Sequence, residues 1–360
     1  MKKFILTIAA AFACVAVFAQ RTPRDVEYTL TEATELNLIG KFMDTPNPYH
    51  RVDTTMYHGF TQSERNQLVS SAGLAVLFKT NSTTISVYSE YGYQNRGSNT
   101  MGLSLRGYDL YIRKDGRWLY AATKEGKQGE NVVLIKDMDN SEKECMLYLP
   151  IYSEMLSVKV GVQEGATLEP LESPFKGRIG IFGSSYTQGI STSRPGMSYP
   201  MQFMRMSGYQ ILSLGCSGNC TLQQRFADFL CDAPMDALIV DGFSNPSAKL
   251  IYERLFAFIE KVQTTHPDMP IIFLQTIRRG SRNFSLFDDR YEQAKQNTGM
   301  QMMEEACRKY RNVYFVETNA DDRNFETSVD GTHPGDYGYT LWAESICKPV
   351  TRILRRHGIR

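Results

Sequence analysis

The strongest constraint on this chain is a change of rhythm at the Pro-containing stretch Gly165-Ala166-Thr167-Leu168-Glu169-Pro170-Leu171-Glu172-Ser173-Pro174. C-terminal to it, short apolar segments recur at Arg178 to Phe182, Gln210 to Leu214, Ala237 to Val240, Pro270 to Leu274 and Asn312 to Val316. Helical patterns lie between them, most clearly Ala248 to Thr265 and Asp289 to Tyr310. Strand–helix alternation requires a mostly parallel sheet covered by helices on both faces. Ligands of such sheets sit at the carboxyl ends of the strands, so the residues just after each strand are the ones to read for chemistry.

N-terminal to the break the pattern is β-rich. Leu74 to Lys79 and Thr84 to Tyr88 are short apolar or β-branched runs. Leu110 to Arg113 and Arg117 to Ala121 flank Lys114-Asp115-Gly116, a strong hairpin signal. Asn131 to Ile135, Glu144 to Leu149 and Leu156 to Val162 continue the series, which predicts an antiparallel sandwich. At 360 residues the chain exceeds the roughly 250–300 at which single cores stop growing, in keeping with two units. Boundaries are expected at 20–170 for the β unit with its linker and 171–360 for the α/β unit.

Residues 1–19 are set apart. Lys2 and Lys3 precede an uncharged apolar run from Phe4 to Phe18, and Ala19 offers a small residue at the cleavage point. This reads as a secretory signal. The run is shorter than the roughly 20 residues needed to span a bilayer, and no later segment is apolar enough to do so. A periplasmic or secreted location and no integral membrane segment are therefore expected. Loss of Lys2 and Lys3 takes the formal charge from +1 to −1. Near-neutrality gives no reason to expect a nucleic-acid partner. Cys216, Cys220 and Cys231 lie close together and an exported chain can pair two of them. No CxxC pair supports a zinc site, and no cofactor is called for.

The strand ends carry the chemistry. After the first comes Gly183-Ser184-Ser185-Tyr186-Thr187-Gln188-Gly189, which places a serine hydroxyl at a helix N-terminus. After the second comes Gly215-Cys216-Ser217-Gly218-Asn219, a turn able to aim backbone N–H groups, and after the third Asp241-Gly242-Phe243-Ser244-Asn245-Pro246, where Asn245 offers a side-chain amide. Near the end, Asp330-Gly331-Thr332-His333 supplies a base and a carboxylate three residues before it to hold the imidazole. Together these are a nucleophile, oxyanion donors, an orienter and a base, the parts of an acyl-transfer site.

In this order the motifs resemble the SGNH (GDSL) hydrolase superfamily over residues 177–355. Its Gly-Asp-Ser-x-x-x-Gly block matches Gly183 to Gly189 with Ser184 in place of Asp; further blocks match Ser217-Gly218, Asn245 and Asp330-x-x-His333, with Pro246 where the family has Asp. Gly107-Tyr108-Asp109-Leu110-Tyr111 resembles the Gly-x-Asp-Leu-Tyr motif of an N-terminal β domain in a secreted bacterial subgroup. The resemblance implies a three-layer α/β/α, flavodoxin-like parallel sheet preceded by the β-sandwich. It also implies Ser185 as nucleophile, His333 as base and acid, Asp330 as orienter, and an oxyanion hole from the Ser185 and Gly218 N–H groups with the Asn245 side chain. Arg194, close after the nucleophile loop, is a candidate either for substrate binding or for a surface or inter-domain ion pair. The expected activity is hydrolysis of small acyl esters, O-acetyl on carbohydrate first among them. The alternatives are a lysophospholipase or thioesterase of the same fold, against which stands the lack of an evident amphipathic lipid-facing segment, and a catalytically silent glycan-binding protein.

Overall fold

The computed structural model describes residues 27–318 and 326–360, so the export signal read at residues 1–19 lies outside it. The N-terminal region forms two antiparallel sheets. One orders Tyr28–Glu32, Ser153–Gln163, Ile85–Gln94 and Asn131–Ile135; the other orders Leu168–Pro170, Ala75–Thr80, Lys143–Tyr148, Gly107–Lys114 and Arg117–Glu125, with Asn37–Ile39 also on Ala75–Thr80. Alternate inward residues of the two sheets, such as Val76, Phe78, Val87, Leu110, Leu147 and Val160, share one core. The hairpin expected at Asp-Gly forms there, with Asp115 and Gly116 both at positive φ. The Pro-containing break is more ordered than a linker: Leu168–Pro170 pairs with Phe78 to Thr80 at the sheet's edge, where a proline costs no ladder bond.

The C-terminal region is a five-stranded parallel sheet in the order Tyr209–Gly215, Lys176–Gly183, Ala237–Asp241, Ile271–Leu274, Val313–Val316. The two-residue period of a strand divides its side chains. Ile179, Ile181, Ile211, Ile239 and Ile272 face helices Tyr199–Ser207 and Asp336–Arg356. Phe182, Leu212, Leu238, Val240 and Phe273 face helices Gln224–Asp232, Ala248–Thr265 and Leu286–Lys309. This is the three-layer arrangement expected from the alternation. Strand order reverses beside Lys176–Gly183, so its carboxyl end opens a crevice.

The cores of the two regions are continuous. Phe42, Val52, Tyr57, Phe60 and Leu68 pack into the layer of helices Gln224–Asp232, Ala248–Thr265 and Leu286–Lys309, and Ala75, Leu77, Tyr111, Met146 and Tyr148 into the layer of helices Tyr199–Ser207 and Asp336–Arg356. Arg51, fully buried, donates to the Gly215 carbonyl at 2.6 Å and to the Ser70 carbonyl at 2.9 Å, tying the N-terminal region to the end of strand Tyr209–Gly215. The pairing open to an exported chain among Cys216, Cys220 and Cys231 is not made: these three and Cys145, Cys307 and Cys347 are free thiols.

Candidate active site

Strand Lys176–Gly183 runs into Ser184, which caps the short helix Ser185–Gln188: its hydroxyl accepts from the Tyr186 N–H at 3.2 Å. The same hydroxyl donates to Asp241 Oδ2 at 2.9 Å, and the Thr187 hydroxyl donates there at 3.0 Å. Asp241 ends the next strand and is completely buried. The carboxylate missing at position 184 is thus supplied beneath the nucleophile loop from the neighbouring strand. Its Oδ1 has no hydrogen-bond partner. Burial pushes the Asp241 carboxyl up to about 6, against the pull of the Ser184 and Thr187 hydrogen bonds.

Ser185 is nearly buried, and its Oγ lies 3.0 Å from His333 Nε2. His333 Nδ1 lies 2.8 Å from Asp330 Oδ2. The other carboxylate oxygen accepts the backbone N–H groups of Thr332 at 3.0 Å and His333 at 2.8 Å. Partial burial works against ionisation of Asp330, but the hydrogen bonds from His333, Thr332 and Asn99 outweigh it and hold the carboxyl well below the usual range. The Tyr186 ring meets His333 edge-on at 5.6 Å, and its hydroxyl donates to the Thr332 carbonyl at 2.9 Å. The imidazole is therefore held at both nitrogens and against one edge.

Gly218 stands at φ 72°, a conformation that side-chain-bearing residues rarely adopt, with open space where a Cβ would go. Its neighbour Ser217 is fixed by Gln188 Oε1, which accepts from the Ser217 N–H at 2.9 Å, and by the Tyr152 hydroxyl at 2.7 Å. Asn245 Oδ1 accepts the Cys220 N–H at 3.2 Å, which orients the amide nitrogen away from that contact. Ser185, Gly218, Asn245 and His333 line one cavity of about 480 Å³. Such a set can take a proton from the serine, stabilise an oxyanion and return the proton to a leaving group.

Arg194 is not among the residues lining this cavity; it makes the inter-domain ion pair instead of a contact with the cavity. Its guanidinium is spent on the β domain. It donates to Asp109 Oδ2 at 2.6 Å and to the Tyr111 hydroxyl at 2.7 Å, and lies 4.4 Å over the Tyr120 ring. Asp109 also accepts the Gly196 N–H at 2.9 Å; a Cβ on Gly196 would stand 2.6 Å from that carboxylate. The Gly-x-Asp-Leu-Tyr motif is therefore a docking element for the loop after the nucleophile. Burial raises the Asp109 carboxyl, and Arg194 opposes that shift.

Other site residues come from elsewhere. Asn95, Asn99, Thr100 and Tyr152 of the N-terminal region form one wall of the cavity. On the other side stands Arg279, in the loop that follows strand Ile271–Leu274. The loop is pinned: Arg279 reaches Tyr186, Glu292 and the Ser244 carbonyl, and the Ser281 N–H donates to the Gly331 carbonyl at 2.8 Å. Lys295, buried, donates to the same Ser244 carbonyl at 2.8 Å. Among the described residues no group of three or more His, Cys, Asp or Glu is placed to hold a metal ion.

A sequence profile for the N-terminus of SGNH-hydrolase-type esterases matches residues 26–168, and one for the GDSL-like lipase/acylhydrolase family matches residues 176–351. A solved structure from Bacteroides ovatus ATCC 8483, described as that of a GDSL-like lipase, is 36% identical, with a TM-score of 0.88 over 91% of this chain and 98% of that one. The chain belongs to the GDSL-like lipase/acylhydrolase family. The GDSL-like fold, with its N-terminal β region, extends to more distant structures. The salicylyl-acyltransferase SsfX3 of a tetracycline biosynthetic pathway is 20% identical at TM-score 0.71, covering 93% of this chain and 99% of that one. A family two carbohydrate esterase from Cellvibrio japonicus is 12% identical at TM-score 0.60, covering 91% and 98%. No curated relative matches this GDSL-like hydrolase by sequence.

Proposed function

We propose that the protein is an exported serine esterase that removes small acyl groups, O-acetyl first among them, from carbohydrate. One observation carries the reading: the unbroken line Asp330 Oδ2–His333 Nδ1 at 2.8 Å and His333 Nε2–Ser185 Oγ at 3.0 Å, ending beside Gly218 and Asn245. Ser185 attacks the ester carbonyl while His333 takes its proton and Asp330 stabilises the imidazolium. The Ser185 and Gly218 N–H groups and the Asn245 amide receive the oxyanion. His333 then protonates the leaving alcohol, and water repeats the sequence on the acyl-enzyme. The open cavity suits a small acyl group on a bulky alcohol. Carbohydrate esterases among the structures of this fold support the sugar. Export rests on residues 1–19.

The test is hydrolysis of p-nitrophenyl acetate, followed by an acetate-release screen on acetylated glycans. Ser185→Ala is expected to lower kcat/KM by about 10⁴-fold or more; equal activity of the two proteins overturns the mechanism. One observation favours a second reading, a long-chain acyl hydrolase. Phe284, Leu286 and Phe287 are exposed at the start of the helix whose Tyr291 lines the cavity. A rate that climbs from acetyl to long-chain esters would select it over the carbohydrate reading.

A further inference from the structure

We infer that Asn99, a residue of the N-terminal β region, is a positioning residue of the hydrolase's proton relay. The inference rests on the roles proposed for Asp330 and His333 and concerns what holds them. Asn99 Nδ2 donates to Asp330 Oδ2 at 2.8 Å and stands 3.2 Å from His333 Nδ1. With the Nδ1 proton directed at Asp330, two donors face each other there, so the Asn99 hydrogen is directed at the carboxylate.

The consequence is a saturated carboxylate. Oδ1 takes the Thr332 and His333 N–H groups; Oδ2 takes His333 Nδ1–H and Asn99. A carboxylate offers about four acceptor positions, so no rotation about its Cβ–Cγ bond improves on this set. Asp330 is otherwise held only by its own turn, and its side chain is about one-third exposed, at 34%. A carboxylate so placed is open to competition from water. Asn99 closes that approach and fixes the plane in which the imidazole must lie.

Asn99 is itself held. Its turn is closed by the Thr100 N–H on the Gly97 carbonyl at 3.2 Å and the Gly97 N–H on the Thr100 hydroxyl at 3.0 Å. The loop is anchored at its start by the Asn95 N–H on the Tyr152 carbonyl at 2.9 Å. Tyr152 in turn bonds Ser217, next to Gly218. This short segment of the β region thus touches the base side of the cavity and is tied through Tyr152 to the oxyanion side.

Among the described residues, the groups that face the relay come from several elements, with Tyr152 and Tyr291 also lining the cavity. Asp330 and Asn99 face Nδ1, Tyr186 meets the ring, and Arg279 with the Lys295–Glu292 pair lies across the cavity, with Asp241 behind the nucleophile loop. Removing the Asn99 donor leaves more negative charge on Oδ2 and favours the imidazolium. Replacing it by a carboxylate favours the imidazolium further.

The experiment measures kcat and KM on p-nitrophenyl acetate from about pH 5 to pH 9 for the full chain, Asn99→Ala, Asn99→Asp and Ser185→Ala, with thermal unfolding of each. Asn99→Ala is expected to lower kcat about ten-fold and to move the acid limb of the profile to higher pH; Asn99→Asp moves that limb further in the same direction. Variants with the wild-type acid limb overturn the inference, whether kcat is unchanged or falls together with the unfolding temperature. Should Ser185→Ala retain full activity, the relay itself is wrong and Asn99 has nothing to position, an outcome distinct from failure of Asn99 alone.

Discussion

Asp330 and Asp241 bear the same functional group within one active-site region, and their surroundings drive them in opposite directions. Asp330 sits at the rim with donors on both oxygens and is held well below the usual carboxylate range. Asp241 lies under the nucleophile loop with donors on Oδ2 and none on Oδ1, and burial raises it to about 6. The lesson is that donors must outnumber the cost of dehydration before a carboxylate stays charged. The first environment makes a permanent anion that can steady an imidazolium. The second makes a structural acid near its protonation point. Asp109 extends the comparison: it is as buried as Asp241 but faces a cation, Arg194.

The sharpest way to break the comparison is to neutralise each member in turn. Asp330→Asn is expected to lower kcat by about 10³-fold while leaving the unfolding temperature nearly unchanged, because the site loses its anion but no buried contact. A loss under ten-fold would mean that the carboxylate only shapes the turn. Next in size is Arg194→Ala, which strands the buried Asp109 charge and is expected to cost about 3–5 kcal/mol in denaturant unfolding. The deficit should shrink as pH falls and Asp109 takes up a proton; a deficit independent of pH would show that packing, not charge, holds the two regions together.

The smallest effect belongs to Asp241→Asn. A carboxyl whose folded-state pKa lies above its unfolded value binds protons in the folded state first, so its contribution to stability falls as pH rises. Between about pH 4 and the folded value near 6, wild type should lose on the order of 3 kcal/mol relative to Asp241→Asn, measured as the difference between their unfolding curves. Parallel curves across that window would overturn the assignment of Asp241 as a dehydrated acid.

The residues that could be read in advance and those that could not differ in where their partners lie. Ser185, Gly218, Asn245 and His333 are brought to one crevice by the parallel-sheet rule, and Asp330 stands behind His333 at its edge. The helix at Ala248–Thr265 and the strand at Asn131–Ile135 have the bounds that periodicity gives. Helices Tyr199–Ser207 and Gln224–Asp232 escaped, since nine residues give few turns over which a period can be counted. Asn99 was illegible because Gln94-Asn95-Arg96-Gly97-Ser98-Asn99-Thr100 looks like any polar loop, and its partners stand 231 and 234 positions away. Arg194 was left open for a related reason: its place after Ser185 allowed the cavity as well as an inter-domain ion pair, and the deciding partner, Asp109, sits 85 residues earlier. Asp241 was within reach, for a carboxylate at a strand's carboxyl end next to a loop short of its own Asp is a signal that can be read.

The spread of the site along the chain has a consequence for the order in which the protein becomes active. Synthesis delivers the Asn99 loop first, the serine next, the oxyanion loops after it, and the base and its carboxylate last, just ahead of helix Asp336–Arg356. On the proposed mechanism, until that closing segment docks Ser185 has no group to take its proton. A nascent or partly threaded chain is therefore chemically inert toward esters, and the onset of turnover marks the moment at which the two ends of the fold have met.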